Sequence, residues 1–542
     1  MEGIHDMEAC GNMNRNSSID DSDFGHHSSP LEVPRDSIQQ ESINGYVSDQ
    51  IEINKQASPL MMANNGLNII GFLKGKNILI TGATGFLAKV LVEKILRVQP
   101  DVGKLFLLIK AKDAKHVRER LQNEIVQKSL FEYLQQLLGP GYQDFINRKL
   151  IPVVGDLSKD NLGMDIDTLS EIQEKVEIIV NSAASTTFDE RYDYAINLNT
   201  KGAQRILEFG HSCAHLQLLI HVSTAFVNGQ RRGRVMEKPF QIGCSITNEA
   251  MNAQTDQLVP DIDMNHELQL IRGKKKEIIE EIESASTCAP TSLELLKLKK
   301  RLHQEMKDLG MQRAKIFGWQ DTYVFTKAMG EMVVDSTRGQ VPVVIIRPSV
   351  VESSFKDPFP GWMEGNRMMD PVLILYGKGH LPGFLVDPES VLDVVPVDMV
   401  ANAMLAAMAK HAKEPGIEVY QVASSVVNPL VFFELARMSK EHFTANPFMD
   451  NLGKPLPIPK LELFKDMESF LDAVKISTDS IKEPMSCLTD SKDAIRRHKQ
   501  LTQKVKEQVA YLASLYQPYT FYRGRYDFYF RTSFGIFLLR CK

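Results

Sequence analysis

The stretch Asn77-Ile-Leu-Ile-Thr-Gly-Ala-Thr-Gly-Phe-Leu-Ala88 decides the fold. An apolar run too short for a helix ends in a glycine-rich turn. Leu87, Val90, Leu91, Ile95 and Leu96 then recur at helical spacing between Phe86 and Arg97. Working outward, Lys104–Ile109, Leu150–Val154, Glu177–Val180, Leu218–Val222 and Val343–Ile346 read as five further buried strands, with a helix over Arg118–Leu138. Short apolar runs alternating with amphipathic helices predict an α/β domain: a doubly wound parallel sheet of the Rossmann kind, covered on both faces. Residues 236–316 interrupt the rhythm with a polar tract. In it, Lys274-Lys-Lys276 followed by Glu280, Glu281 and Glu283 predicts a solvated, charged helix. From about 430 the pattern turns mostly helical, most clearly over Leu461–Val474 and Ser491–Leu515. The expected organisation is a leader of residues 1–66, a sheet domain of residues 67–430 carrying the 236–316 insertion, and a smaller helical unit of residues 431–542.

A chain of 542 residues exceeds one ordinary core, and 43% hydrophobic with 24% charged residues excludes wholesale disorder. No run approaches the ~18 apolar residues of a bilayer-spanning helix. A net charge of −5 gives no global electrostatic case for nucleic acid. Cysteines at 10, 213, 244, 288, 487 and 541 form no CxxC and no metal-ligand spacing, which predicts reduced thiols and no metal site. The first 66 residues carry eleven acidic residues against three basic ones and are expected to be disordered. A plastid transit peptide would be poor in acid, so this leader is a weak targeting signal.

Thr81-Gly-Ala-Thr-Gly-Phe-Leu87 lies where the first strand turns into the first helix. Glycine permits the tight reversal and lets the backbone approach a pyrophosphate, whose charge the helix N-terminus stabilises. Thr81, Gly82, Thr84, Gly85, Phe86 and Leu87 are therefore dinucleotide-binding candidates. An NAD site would place an acid about 20 residues further on; here the second strand ends in Lys110-Ala-Lys112. Cations suit a 2′-phosphate, so the expected cofactor is NADPH, the alternative being that both lysines are surface residues. Asp156 and Leu157 after the third strand, Ala183 after the fourth, and Pro348 and Val350 after the sixth also fall at carboxyl ends of strands, where such sheets bind ligands.

Tyr323-Val-Phe-Thr-Lys327 carries the chemistry. Spacing of four puts both side chains on one helix face. A free phenol near pKa ~10 is a poor proton relay at neutral pH, and a neighbouring ammonium is expected to lower it. Thr224, in Ser223-Thr-Ala225 after the fifth strand, could hold a carbonyl oxygen beside Tyr323, and Asn199 could anchor a water. Alone, each of these two could equally be satisfying a loop or a cap.

With these residues in place the chain resembles the extended short-chain dehydrogenase/reductases, and more narrowly the plant alcohol-forming fatty acyl-CoA reductases of the male-sterility type. The resemblance rests on Thr81–Val90, on Thr186-Thr-Phe-Asp-Glu-Arg-Tyr192 and on Gly318-Trp-Gln-Asp-Thr-Tyr-Val-Phe-Thr-Lys-Ala-Met-Gly-Glu331. It continues through Pro342–Ser349, Asp357-Pro-Phe-Pro-Gly-Trp362, Asp393-Val-Val-Pro-Val-Asp398 and Tyr516-Gln-Pro-Tyr-Thr-Phe521. Phe528–Lys542 bears no likeness to the tail that follows Asp527 in that family, so the C-terminal unit is expected to be incomplete and its last residues loosely packed.

The resemblance implies reduction of a long-chain acyl-CoA or acyl-carrier-protein thioester to a primary alcohol through an aldehyde. Two NADPH are consumed, and the product serves barriers such as pollen wall, suberin or wax. Thr224, Tyr323, Lys327 and Asn199 take the catalytic positions; no metal or cysteine nucleophile is required. A plastid location is implied, with cytosol or endoplasmic reticulum surface as the alternative for a leader this acidic. A reductase that stops at the aldehyde, a sugar-nucleotide epimerase or dehydratase, and a non-catalytic cofactor-binding homologue remain open at this point.

Overall fold

The computed structural model describes residues 67–250, 259–285, 292–450, 452–480 and 492–526. The readings of the leader (1–66) and of the tail (528–542) lie outside the described residues. Apart from Met363–Pro371, the described residues fall in one compact unit, Leu67–Trp362 with Val372–Lys542.

Its centre is a sheet of seven strands: β1 Ile78–Thr81, β2 Leu105–Ile109, β3 Leu150–Val154, β4 Ile178–Asn181, β5 Leu218–Val222, β6 Val343–Pro348 and β7 Ile417–Val422. Their order is β7-β6-β5-β4-β1-β2-β3, with every neighbouring pair parallel. The order reverses between β1 and β4, which is the topological switch point where α/β sheets bind ligands. All residues of β1, β2 and β4 are buried, as the unbroken apolar runs require of strands covered on both faces. One face is covered by α1 Phe86–Val98 and α6 Val397–His411. On the other, Ile206, Leu207 and Phe209 of α2 Lys201–His211 join Leu79, Ile179, Leu219 and Ile345 in a single core.

Four readings change. The seventh strand was not anticipated, because Glu418 and Gln421 interrupt its apolar run. Gln421 is nevertheless buried, since its amide bridges the Asn228 side chain at 3.0 Å and the Val235 carbonyl at 2.9 Å. The helix over Arg118–Leu138 is broken. A π-helical turn at Gln122–Val126 and a 3₁₀ turn at Ser129–Phe131 separate Ala114–Leu121 from Glu132–Leu138. Part of the segment read as helix over Leu461–Val474 is a strand, Glu462–Phe464, paired with Gly383–Leu385; the helix is α8 Met467–Ser480.

The polar insertion, finally, is more than a solvated face. It holds α3 Met264–Ala285 and α4 Ser292–Phe317, and Lys276–Glu280 does pair on its surface. Glu267, however, is wholly buried. It accepts from the Tyr192 hydroxyl at 2.7 Å and from Arg313 Nε at 3.0 Å, which ties the insertion to the layer beside the sheet.

The helix carrying Tyr323 and Lys327 is α5 Thr322–Thr337, capped by the Asp321 carboxylate on Val324 N at 2.9 Å. Beyond the sheet the chain runs through α7 Phe432–Ala445, α8 and α9 Lys492–Thr520, then returns as Gly524–Tyr526 to pair in parallel with Gly233–Val235.

Candidate active site

The glycine turn fits a dinucleotide. Gly82 has φ +69°, and a Cβ there would lie 2.8 Å from the Ala183 Cα and N atoms, so only glycine leaves β1 this close to the end of β4. The two strand ends are also joined by the Thr81 hydroxyl. It donates to Asn181 Oδ1 at 2.8 Å and accepts from Ser182 N and Ala183 N, both at 3.1 Å. Gly85 is the N-cap of α1 and supplies no side-chain cap, which leaves that N-terminus suited to an anion. Phe86 is buried with its ring stacked on Trp362 at 5.3 Å, while Thr84 and Leu87 are half-buried. These residues and Ala183 gather at the switch point.

The lysines at the end of β2 sit differently from each other. Lys112 is exposed, whereas Lys110 Nζ is 2.8 Å from Asp156 Oδ2. Burial works against ionising Asp156. Hydrogen bonds from Lys110 and Ser158 outweigh it and hold the carboxyl below its usual range. The Asp156 carboxylate is therefore already engaged by two partners. Sequence reading also passed over Arg120, whose guanidinium donates to the Lys110 carbonyl at 2.6 Å and pairs with Glu124. Its distance along the chain from Lys110 hid it. The Leu157 side chain belongs to the core, packed beneath Gly202. Pro348 ends β6 opposite Val422, and the Val350 N–H goes to the Asp393 carbonyl at 3.1 Å.

Tyr323, Thr224 and Lys327 do come together. Thr224, close enough to the Tyr323 phenol to act on it, follows β5 and caps the short helix Ala225–Asn228 by accepting from Phe226 N at 3.3 Å. The Lys327 ammonium donates to the Val222 carbonyl at the end of β5, at 2.6 Å. Burial lowers Lys327 to about 8, with Glu331 opposing. Burial, aided by Asp321, raises the Tyr323 phenol above its ordinary value, and the Thr224 hydroxyl only partly opposes it. The expected lowering by the lysine is not what the fold shows, because desolvation dominates. A raised phenol stays protonated at neutral pH and holds its proton until a stronger base forms beside it.

Asn199 braces this centre. It lies in a π-helical turn, Ile196–Thr200, a form that recurs at functional sites. Its amide accepts from Ser185 N at 2.9 Å and donates to Ser185 O at 3.1 Å and Thr326 Oγ1 at 3.0 Å. A Cβ at Gly330 would meet Asn199 O at 2.6 Å, so the glycine is what lets α5 lie against that turn. Sequence reading also left Glu331–Arg347 without a role. The pair is fully buried, with Nε–Oε1 at 3.0 Å, and it pins α5 to β6.

The family described as Male sterility protein matches residues 80–404. Fatty acyl-CoA reductase 2, chloroplastic, of Arabidopsis thaliana is 49% identical over 470 residues, covering 85% of this chain and 73% of its own. The alcohol-forming fatty acyl-CoA reductase of Simmondsia chinensis is 36% identical over 468 residues, covering 85% of this chain and 89% of its own. In fold, the terminal R domain of the myxalamid PKS-NRPS pathway superposes with a TM-score of 0.51 at 16% identity, covering 86% of each chain. A parallel sheet with a glycine turn at its switch point, a Tyr–Lys helix beside it and these relatives together place the chain in the male sterility protein family of fatty acyl-CoA reductases.

Proposed function

We propose that the protein reduces long-chain fatty acyl thioesters, carried on coenzyme A or acyl carrier protein, to primary alcohols through the aldehyde, using NADPH. The observation that carries this reading is the meeting of Tyr323, Thr224 and Lys327 at the carboxyl end of β5, where the Lys327 ammonium donates to the Val222 carbonyl at 2.6 Å. NADPH, when bound, supplies the hydride for each reduction. Gly82, Gly85 and the N-terminus of α1 would hold its pyrophosphate. Lys112, with Lys110 and Arg120 turned from Asp156 and Glu124, would supply cations for a 2′-phosphate at the end of β2.

Tyr323 and Thr224 would donate to the thioester oxygen as it gains negative charge, and oxyanion donors of this kind each lower a barrier by ~3–4 kcal/mol where they dominate. In the second reduction Tyr323 gives its proton to the alkoxide. Lys327 keeps a positive charge beside the phenolate that results, and Asn199 holds the Ser185 loop and α5 at fixed separation.

Purified protein incubated with acyl thioesters of graded chain length is expected to yield primary alcohol with NADPH and far less with NADH. Aldehyde as the end product, or equal rates with both nucleotides, would refute the reading. Gly82→Ala is expected to weaken NADPH binding by tenfold or more, since a methyl there meets backbone rather than a movable side chain. Fluorescence titration showing unchanged affinity would remove the role given to this turn. A plastid location is supported by the name of the Arabidopsis relative; a fluorescent fusion that stays cytosolic would exclude it.

A further inference from the structure

We propose that Tyr519, at the end of α9, is a positioning residue for the reductase centre, fixing both the start of α5 and the ring of Tyr323. This rests on the reading of Tyr323 as proton donor. The motif Tyr516-Gln-Pro-Tyr-Thr-Phe521 lies far along the chain from Tyr323, yet the fold sets it against the site. The Tyr519 hydroxyl donates to Asp321 Oδ2, the carboxylate whose other oxygen caps α5. Its ring stacks on Phe188 at 4.9 Å, and Phe188 in turn stacks on Tyr323 at 6.2 Å. The same ring meets Phe226 edge-on at 4.9 Å, just past Thr224. The Phe188 carbonyl accepts from Tyr323 N at 3.2 Å, so one loop carries both the stacking ring and a backbone tie to Tyr323.

Each link has a physical reason. Asp321 is buried, and burial raises its carboxyl to about 7, so its two oxygens need partners to keep the cap oriented. Val324 N serves one oxygen and Tyr519 the other. Tyr516 adds an edge contact to Phe188 at 6.0 Å. The end of α9 thus closes on the two turns that present Tyr323 and Thr224. Because Tyr519 acts through Asp321, Phe188 and Phe226, its effect should fall on turnover rather than on nucleotide affinity.

The test compares Tyr519→Phe, Asp321→Asn and the double variant with Tyr323→Phe as reference, measuring kcat, KM for an acyl thioester and Kd for NADPH. Both single variants are expected to lose about tenfold to a hundredfold in kcat, with NADPH Kd within about twofold, since misplacement alone has effects of that size. The double variant is expected to lose no more than the worse single variant, because the two residues form one unit. Wild-type kcat in Tyr519→Phe, additive losses, or a fall in NADPH affinity matching the fall in kcat would each overturn the proposal. Asn keeps the cap, so Asp321→Asn carries the test if Tyr519→Phe does not fold, and unchanged kcat there is again fatal. If Tyr323→Phe stays active, the proton-donor reading itself fails. If it is inactive while Tyr519→Phe is normal, only the positioning role fails.

Discussion

Replacing Tyr323 by phenylalanine is expected to lower alcohol formation by about three orders of magnitude, within the range that loss of a positioned acid produces. NADPH should still bind. The ring stays stacked on Phe188, and the backbone N–H stays bonded to the Phe188 carbonyl, so packing at the start of α5 survives the change. What disappears is the hydroxyl that meets Thr224 and the proton that burial keeps on it. Steady-state rates with the acyl thioester and with the free aldehyde separate the two reductions, and both should fall, because both develop charge on the same oxygen. A variant that makes alcohol at more than a tenth of the normal rate would refute the role given to Tyr323.

The largest stability effect is expected at Arg347. Its guanidinium and the Glu331 carboxylate are completely removed from water, and the cation also donates to the Lys238 carbonyl at 2.9 Å and lies over the Phe240 ring at 5.2 Å. Arg347→Met strips Glu331 of its counter-charge while keeping the side-chain length. Breaking a buried pair in this way costs about 3–5 kcal/mol. The double variant Arg347→Met with Glu331→Met removes both charges and should recover most of that loss, since two apolar chains of similar volume need no partner. Denaturant unfolding reads both variants. A single-variant loss below ~1 kcal/mol, or no recovery in the double, would show that the pair does not hold α5 to β6.

The glycine turn and the Tyr–Lys spacing were legible in the sequence because each is local. Gly82 is required by a backbone angle and a close approach, and Tyr323 and Lys327 need only the pitch of one helix. The six strands first recognised were apolar runs broken at most once, by His221 in β5, whereas β7 carries both Glu418 and a buried Gln421 whose partners come from elsewhere in the chain. The same reason hid Glu267 beneath Tyr192 and Arg313, the engagement of Asp156 by Lys110, and Tyr519 beside Asp321. No spacing rule encodes a pairing between distant segments. The direction of the Tyr323 shift was misjudged for a related cause: a neighbouring ammonium can be read from spacing, but the depth of burial that outweighs it cannot.

The return of the chain at Gly524–Tyr526 to Gly233–Val235, just after Tyr519 has closed on α5, sets an order of events at the ribosome. Emerging at ~5–20 residues per second, α5 precedes the residues that clamp it by on the order of ten seconds or more. During that interval the first six strands and the glycine turn can assemble, while Phe188, Phe226 and the Asp321 carboxyl still await their cover. A nascent chain in that state offers aromatic surface to chaperones and to other nascent chains alike. The segments proposed to hold the nucleotide are therefore made early, and the residues that order Tyr323 emerge only well after it.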